Sequence, residues 1–132
     1  VSEKALETAE ANARLNGVEI GFIKSDLFEN LSGTFDVIVT NPPYVKSGDI
    51  GKLDAEVRDF EPVTALDGGE DGLDFYRRII DKADGYLGDG GVLLAELGEA
   101  DELKSYAEDK LEFVEIKKDY GGTDRIIVFR KR

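Results

Sequence analysis

Thr40-Asn41-Pro42-Pro43-Tyr44 follows Phe35-Asp36-Val37-Ile38-Val39, an apolar run rich in β-branched residues. Such a run reads as a buried strand. The two prolines cannot continue a ladder, because neither has an N–H to donate. They also push the residue before them, Asn41, out of the helical region and into an extended conformation. A short polar side chain therefore sits on a stiffened backbone at the carboxyl end of a strand. In open α/β sheets that end is where ligands bind.

The chemistry this suits is recognition of a planar –NH₂ group. The Asn41 side-chain oxygen and the Pro42 carbonyl can each accept one N–H, and neither proline competes with a donor of its own. Two in-plane acceptors leave the nitrogen lone pair pointing out of the plane, toward an electrophile. The Tyr44 ring could stack on the planar group or wall off water. The plainer alternative is that Pro42-Pro43 only ends the strand and Asn41 makes an Asx turn. The coincidence of four special residues at one strand end favours the first reading.

Working outward, Ser2 is placed to cap a helix whose apolar positions are Ala5, Leu6, Ala9 and Ala13, with Asn16-Gly17 as a left-handed stop. Val18 to Lys24 alternates imperfectly and is expected to be a short strand, with Ser25-Asp26-Leu27-Phe28 just beyond its carboxyl end. Residues 45–72 are long for a connection, and Ile50, Leu53 and Val57 allow one short helix inside it. Long ordered connections beside a site serve as lids or binding loops. Asp67-Gly68-Gly69-Glu70-Asp71-Gly72 has the outline of a calcium loop but places Gly69 and Arg78 where two ligands belong, so a glycine-rich turn into a helix is the better account. That helix runs from Leu73 to Leu87 with Phe75, Ile79 and Ala83 on one face. A turn at Gly88-Asp89-Gly90-Gly91, a buried strand Val92–Leu97, a polar helix over 99–110 and two strands, Glu112–Lys117 and Ile126–Arg130, complete the chain. The last two can pair antiparallel across Asp119-Tyr120-Gly121-Gly122.

At 132 residues the length suits one domain. No apolar run approaches a membrane span and no signal-peptide pattern is present, so a soluble, cytoplasmic protein is expected. With no Cys and no His, disulfides, thiolate nucleophiles, zinc–cysteine sites and a Ser-His-Asp hydrolase are excluded. A net charge of −12 argues against a free-standing nucleic-acid binder, which needs a basic footprint, and favours a protein side chain as the group acted on.

Asn41-Pro42-Pro43-Tyr44 resembles the signature of class I S-adenosylmethionine-dependent methyltransferases that act on planar nitrogens, both N6-adenine and glutamine enzymes. Further stretches narrow this: Ser2 to Asn12, Ser25 to Phe28, Glu61-Pro62 with Ala65-Leu66, Gly68 to Arg77, and Asp124-Arg125 are together similar to the HemK-type release-factor glutamine methyltransferases. The similarity covers nearly the whole chain, in family order. It implies an α/β, Rossmann-like sheet, mostly parallel with an antiparallel C-terminal edge. It implies S-adenosylmethionine as cofactor, with Asp26 near the adenine amino group, Leu27 packed on the adenine ring, and Asn41 also at the cofactor. Asn41 and Pro42 would be the catalytic pair that holds the substrate amide, with Pro43 and Tyr44 lining its pocket. The implied substrate is the glutamine of the Gly-Gly-Gln motif of peptide release factors. An N6-adenine nucleic-acid methyltransferase and a non-catalytic module that only binds a partner are the alternatives.

Such a domain needs a glycine-rich turn between its first strand and first helix, and none is found. The chain opens inside the family's second motif block, so it is expected to be the C-terminal portion of a larger catalytic domain, with an incomplete cofactor site. The Val18–Lys24 strand would then lack its neighbours, and Phe35–Val39 would present an open apolar edge. Either the first strand moves beside the second or another chain pairs with it, and self-association is the favoured outcome.

Overall fold

Backbone hydrogen bonding decides which of these segments become regular structure. The structure is a computed structural model that describes residues 2–132. It divides into two units, one ending at Gly33 and the other spanning Thr34–Arg132.

The first unit is built on helix α1, Glu3–Asn16. Ser2 caps it as expected, its hydroxyl accepting from the Ala5 N–H at 3.2 Å, and Gly17 ends it at φ 65°. That left-handed value is open to glycine at no steric cost. The expected strand Val18–Lys24 does not form. The segment carries no ladder, and Val18, Ile20 and Ile23 are exposed. Extended backbone becomes a strand only when a neighbour takes its N–H and C=O groups. After it, Ser25 to Asn30 makes a closed turn: the Ser25 hydroxyl accepts from the Asn30 N–H at 2.9 Å, and the Asn30 amide donates to the Lys24 carbonyl at 2.7 Å. Within this turn Leu27 adopts φ 51°, the one positive value among the described non-glycine residues.

The second unit is a four-stranded sheet with helices on one face. Its strands are β1 (Phe35–Thr40), β2 (Leu87–Glu96), β3 (Leu111–Lys118) and β4 (Asp124–Lys131), in the order β1-β2-β4-β3. β1 and β2 pair parallel, while β4 pairs antiparallel with both β2 and β3. The mixed sheet with an antiparallel C-terminal edge is as expected, but only one of its three pairings is parallel, because β4 runs against both its neighbours, so the four strands present are not mostly parallel. The parallel pair is joined through helix α4, Asp74–Tyr86. Its inward residues Tyr76, Ile79, Ile80 and Ala83 are buried, as are Leu103 and Ala107 of helix α5, Ala100–Ala107. They share the core with Leu93 and Ala95 of β2 and with their β4 partners Phe129 and Ile127. The other face carries Val37 and Val39 of edge strand β1, which are 54% and 74% exposed. The open apolar edge expected for this strand is present.

Two local expectations need correction. Gly88 to Gly91 is not a turn before the strand but lies inside β2. Phe35 pairs with Leu87 and Val37 with Val92, so the extra residues bulge out. The connection over 45–72 holds three short helical pieces instead of one: a 3-10 helix Ser47–Lys52, α2 Ala55–Phe60 and α3 Val63–Leu66. No described helix is long and apolar enough to cross a membrane.

Candidate functional site

The ladder between β1 and β2 ends at Thr40 and Ala95, where the prolines begin. Asn41 is exposed, Pro42 buried, and Pro43 and Tyr44 half-buried. Among the described residues the Asn41 amide has no hydrogen-bond partner within the protein. An Asx turn from Asn41 would need an N–H two residues on, and Pro43 has none. The side chain is thus left available to a ligand.

The segment that follows is fixed from behind. Val45 and Asp67 form a β-bridge, the Val45 N–H donates to the Leu66 carbonyl at 3.0 Å, and the Gly68 N–H donates to the Val45 carbonyl at 2.8 Å. Gly68 comes so close that a Cβ there would lie 2.7 Å from Tyr44 Cα and 2.8 Å from the Pro43 oxygen. The Asp67–Gly72 turn is therefore a brace for the Asn41–Tyr44 backbone. Asp67 is itself occupied, accepting from the Ser47 hydroxyl and the Gly69 N–H, and these bonds hold its carboxyl below the usual range.

Tyr44 points toward the end of β2, where its hydroxyl donates to Glu96 Oε1 at 2.9 Å. Burial pushes the phenol up, and the Glu96 carboxylate adds to this while Arg125 opposes it. The backbone carbonyl of Glu96 is held as well, accepting from the Tyr76 hydroxyl at 2.5 Å, and that oxygen accepts from the Gly98 N–H at 3.1 Å. From β4, the Arg125 guanidinium is fixed by Asp119 at 2.9 Å and 3.2 Å. Of these groups Glu96 and Arg125 line an open cleft of about 250 Å³ at the carboxyl ends of β1 and β2. Its floor is apolar (Val39, Leu94, Ala95 and Ile126), and Thr40, Asn41, Glu96 and Arg125 supply the polar groups.

Of the residues singled out in the sequence, Asn41 lines this cleft and Tyr44 adjoins it through Glu96. Pro42 and Pro43 are not among its lining residues and act by setting the backbone. Asp26 and Leu27 lie in the other unit, in the Ser25–Asn30 turn. Glu96 was not singled out from the sequence, and Arg125 entered only through the Asp124-Arg125 stretch, with no role assigned. For Glu96 the signal was a carboxylate near the end of the apolar run Val92–Leu97, since ligands bind beyond the carboxyl ends of strands in such sheets.

This sheet, with its site at the carboxyl ends of the strands, has the class I methyltransferase fold. The structure of a methyltransferase from Pyrococcus furiosus superposes with a TM-score of 0.73 at 23% identity, covering 99% of this chain and 59% of that one. The "methyltransferase small domain" family model matches residues 1–56. Release factor glutamine methyltransferases from Agrobacterium fabrum and Thermodesulfovibrio yellowstonii are 43% and 39% identical to this chain over 99% and 98% of its length. By sequence the chain is similar to the release factor glutamine methyltransferases over nearly its whole length. It spans about half the length of these relatives, 47% and 48%.

Proposed function

We propose that this chain serves methyl transfer from S-adenosylmethionine to the side-chain amide nitrogen of a protein glutamine, that of the Gly-Gly-Gln motif in peptide release factors. The observation that carries the reading is Asn41, unpartnered at the mouth of the cleft on a backbone stiffened by two prolines. Asn41 Oδ1 and the Pro42 carbonyl accept the two amide N–H groups and hold the amide plane. The nitrogen lone pair is thereby turned toward the electrophile, and positioning carries the step without a strong base. The apolar floor of Val39, Leu94 and Ile126 suits the methylenes of a glutamine side chain and keeps water from the nitrogen. Once the cofactor is held, its sulfonium would supply the methyl group and leave as a neutral thioether, while the amide, kept in plane by Asn41 and Pro42, would pass its surplus proton to solvent.

S-adenosylmethionine supplies, when bound, the methyl group on its sulfonium. Asp26, Leu27 and Asn41 are the residues of this chain that would hold it. The Ser25–Asn30 turn fits the adenine end, since it offers a carboxylate next to an apolar side chain. Among the described residues no glycine-rich turn joins a strand to a following helix, so the residues present fit only part of the cofactor. The net charge of −12 weighs against the N6-adenine reading and for a protein substrate, met in the cytoplasm.

The test is a methylation assay in which a full-length enzyme that contains this sequence together with a complete cofactor site, rather than these 132 residues alone, is incubated with labelled S-adenosylmethionine and purified release factor. Label on the Gly-Gly-Gln glutamine is expected, with none on a release factor whose motif glutamine is replaced by alanine. Label on DNA adenine, or no transfer, overturns the proposal.

A further inference from the structure

We infer that Glu96 is the positioning residue of the acceptor site: it sets Tyr44, and through Tyr44 the Asn41-Pro42 pair that receives the amide. The inference rests on the reading of that pair as the amide acceptor.

Glu96 is anchored at both ends. Its carbonyl is held by the Tyr76 hydroxyl of α4 at 2.5 Å, and its carboxylate accepts the Tyr44 hydroxyl at 2.9 Å. Only Pro42 and Pro43 separate Tyr44 from Asn41, and both have a fixed φ, so a shift of Tyr44 reaches Asn41 with little slack. The brace from Gly68 fixes the Tyr44 backbone on one side. On the other, Gly98 gives the ring room: a Cβ at Gly98 would lie 3.2 Å from Tyr44 Cβ. What remains to be set is the direction of the Tyr44 side chain, and Glu96 sets it. Among the described residues the second carboxylate oxygen accepts no hydrogen bond, and Glu96 lines the cleft together with Arg125. Positioning needs only an acceptor at Oε1, which glutamine also provides; direct recognition of ligand by charge would need the carboxylate itself.

The experiment is an NMR titration of the isotope-labelled chain with N-acetylglutamine N-methylamide, and with N-acetylglutamic acid N-methylamide as control. In the parent, the glutamine probe is expected to shift the Asn41 and Glu96 signals at millimolar concentration. Glu96→Ala and Tyr44→Phe should each weaken binding about tenfold, the scale of one lost hydrogen bond, and Glu96→Gln should stay within about threefold of the parent. The double variant Glu96→Ala with Tyr44→Phe should lose no more than either single change, because both remove one interaction. Parent-like binding by Glu96→Ala, losses that add in the double variant, or an equal loss in Glu96→Gln each overturn the positioning role and leave the amide site standing. A parent that ignores the glutamine probe overturns the amide reading and this inference with it. Should Glu96→Ala lose the dispersed spectrum of the folded chain, Tyr44→Phe and Glu96→Gln decide the matter.

Discussion

Tyr76→Phe removes one oxygen and leaves the ring, so it isolates the junction that ends β2. Tyr76 is 2% exposed, and burial pushes its phenol up, which keeps the hydroxyl protonated as a donor. That hydroxyl donates to the Glu96 carbonyl at 2.5 Å and accepts from the Gly98 N–H at 3.1 Å. The substitution leaves both backbone groups unpaired at a position where the β1 strand offers no substitute, since its next residues are Asn41-Pro42-Pro43. A buried polar group left without a partner costs about 1–3 kcal/mol. Glu96 and Gly98 are half-buried, so water recovers part of this, and a total of about 2–3 kcal/mol is expected. With a urea slope of about 1.5 kcal/mol/M, the midpoint of the second unit falls by about 1–2 M. The assay is urea unfolding followed by NMR signals of β2 and β4, read separately from the first unit because two units need not unfold together. A loss under about 0.5 kcal/mol would refute the claim that this hydroxyl ties the strand end to α4.

Asn41→Ala should leave folding nearly unchanged, because the side chain has no partner among the described residues, and in an enzyme with a complete cofactor site should lower methyl transfer by about 10²–10³, as single-turnover rates would show. Gly68→Ala forces a methyl against backbone atoms 2.7–2.9 Å away, and a thermal scan should show a loss of about 1–3 kcal/mol with disordering of the Asn41–Tyr44 segment; an unchanged midpoint would contradict the brace. Asp119 is held below the usual carboxylate range by the Thr123 N–H, the Arg125 guanidinium and the Gly121 N–H. Its stabilisation is therefore full above an unfolded pKa of about 3.9 and is lost as pH falls through the lower folded value; amide exchange at Gly121 and Thr123 should speed up only below about pH 4, and Asp119→Asn should abolish that step. The open edge of β1, with Val37 and Val39 exposed, should make the chain associate as concentration rises, and Val39→Lys should shift light scattering toward monomer; a monodisperse parent at all concentrations tells against pairing there.

How much was legible in the sequence follows from how local each signal is. Ser2, Gly17 and the helical spacing between them fixed α1, because capping and left-handed geometry act within a few residues. The period of α4 and the pairing of β3 with β4 were legible for the same reason: one is a helix repeat and the other a short connection. Asn41-Pro42-Pro43-Tyr44 placed the strand end and the exposed amide, since two missing N–H groups and a restricted φ are covalent properties. Val18–Lys24 had a strand's composition and forms none, because a ladder depends on a neighbour that no local pattern supplies. The bulge at Gly88–Gly91 likewise exists only against β1. Glu96, Tyr76 and Arg125 come from β2, α4 and β4, and only the sheet order together with the packing of α4 on it gathers them at the strand end beside Tyr44. Backbone chemistry at the strand end was thus set by the residues themselves. Which side chains hold it in place was decided by packing between segments distant in sequence, where the contact energies are collected only after the chain has closed on itself.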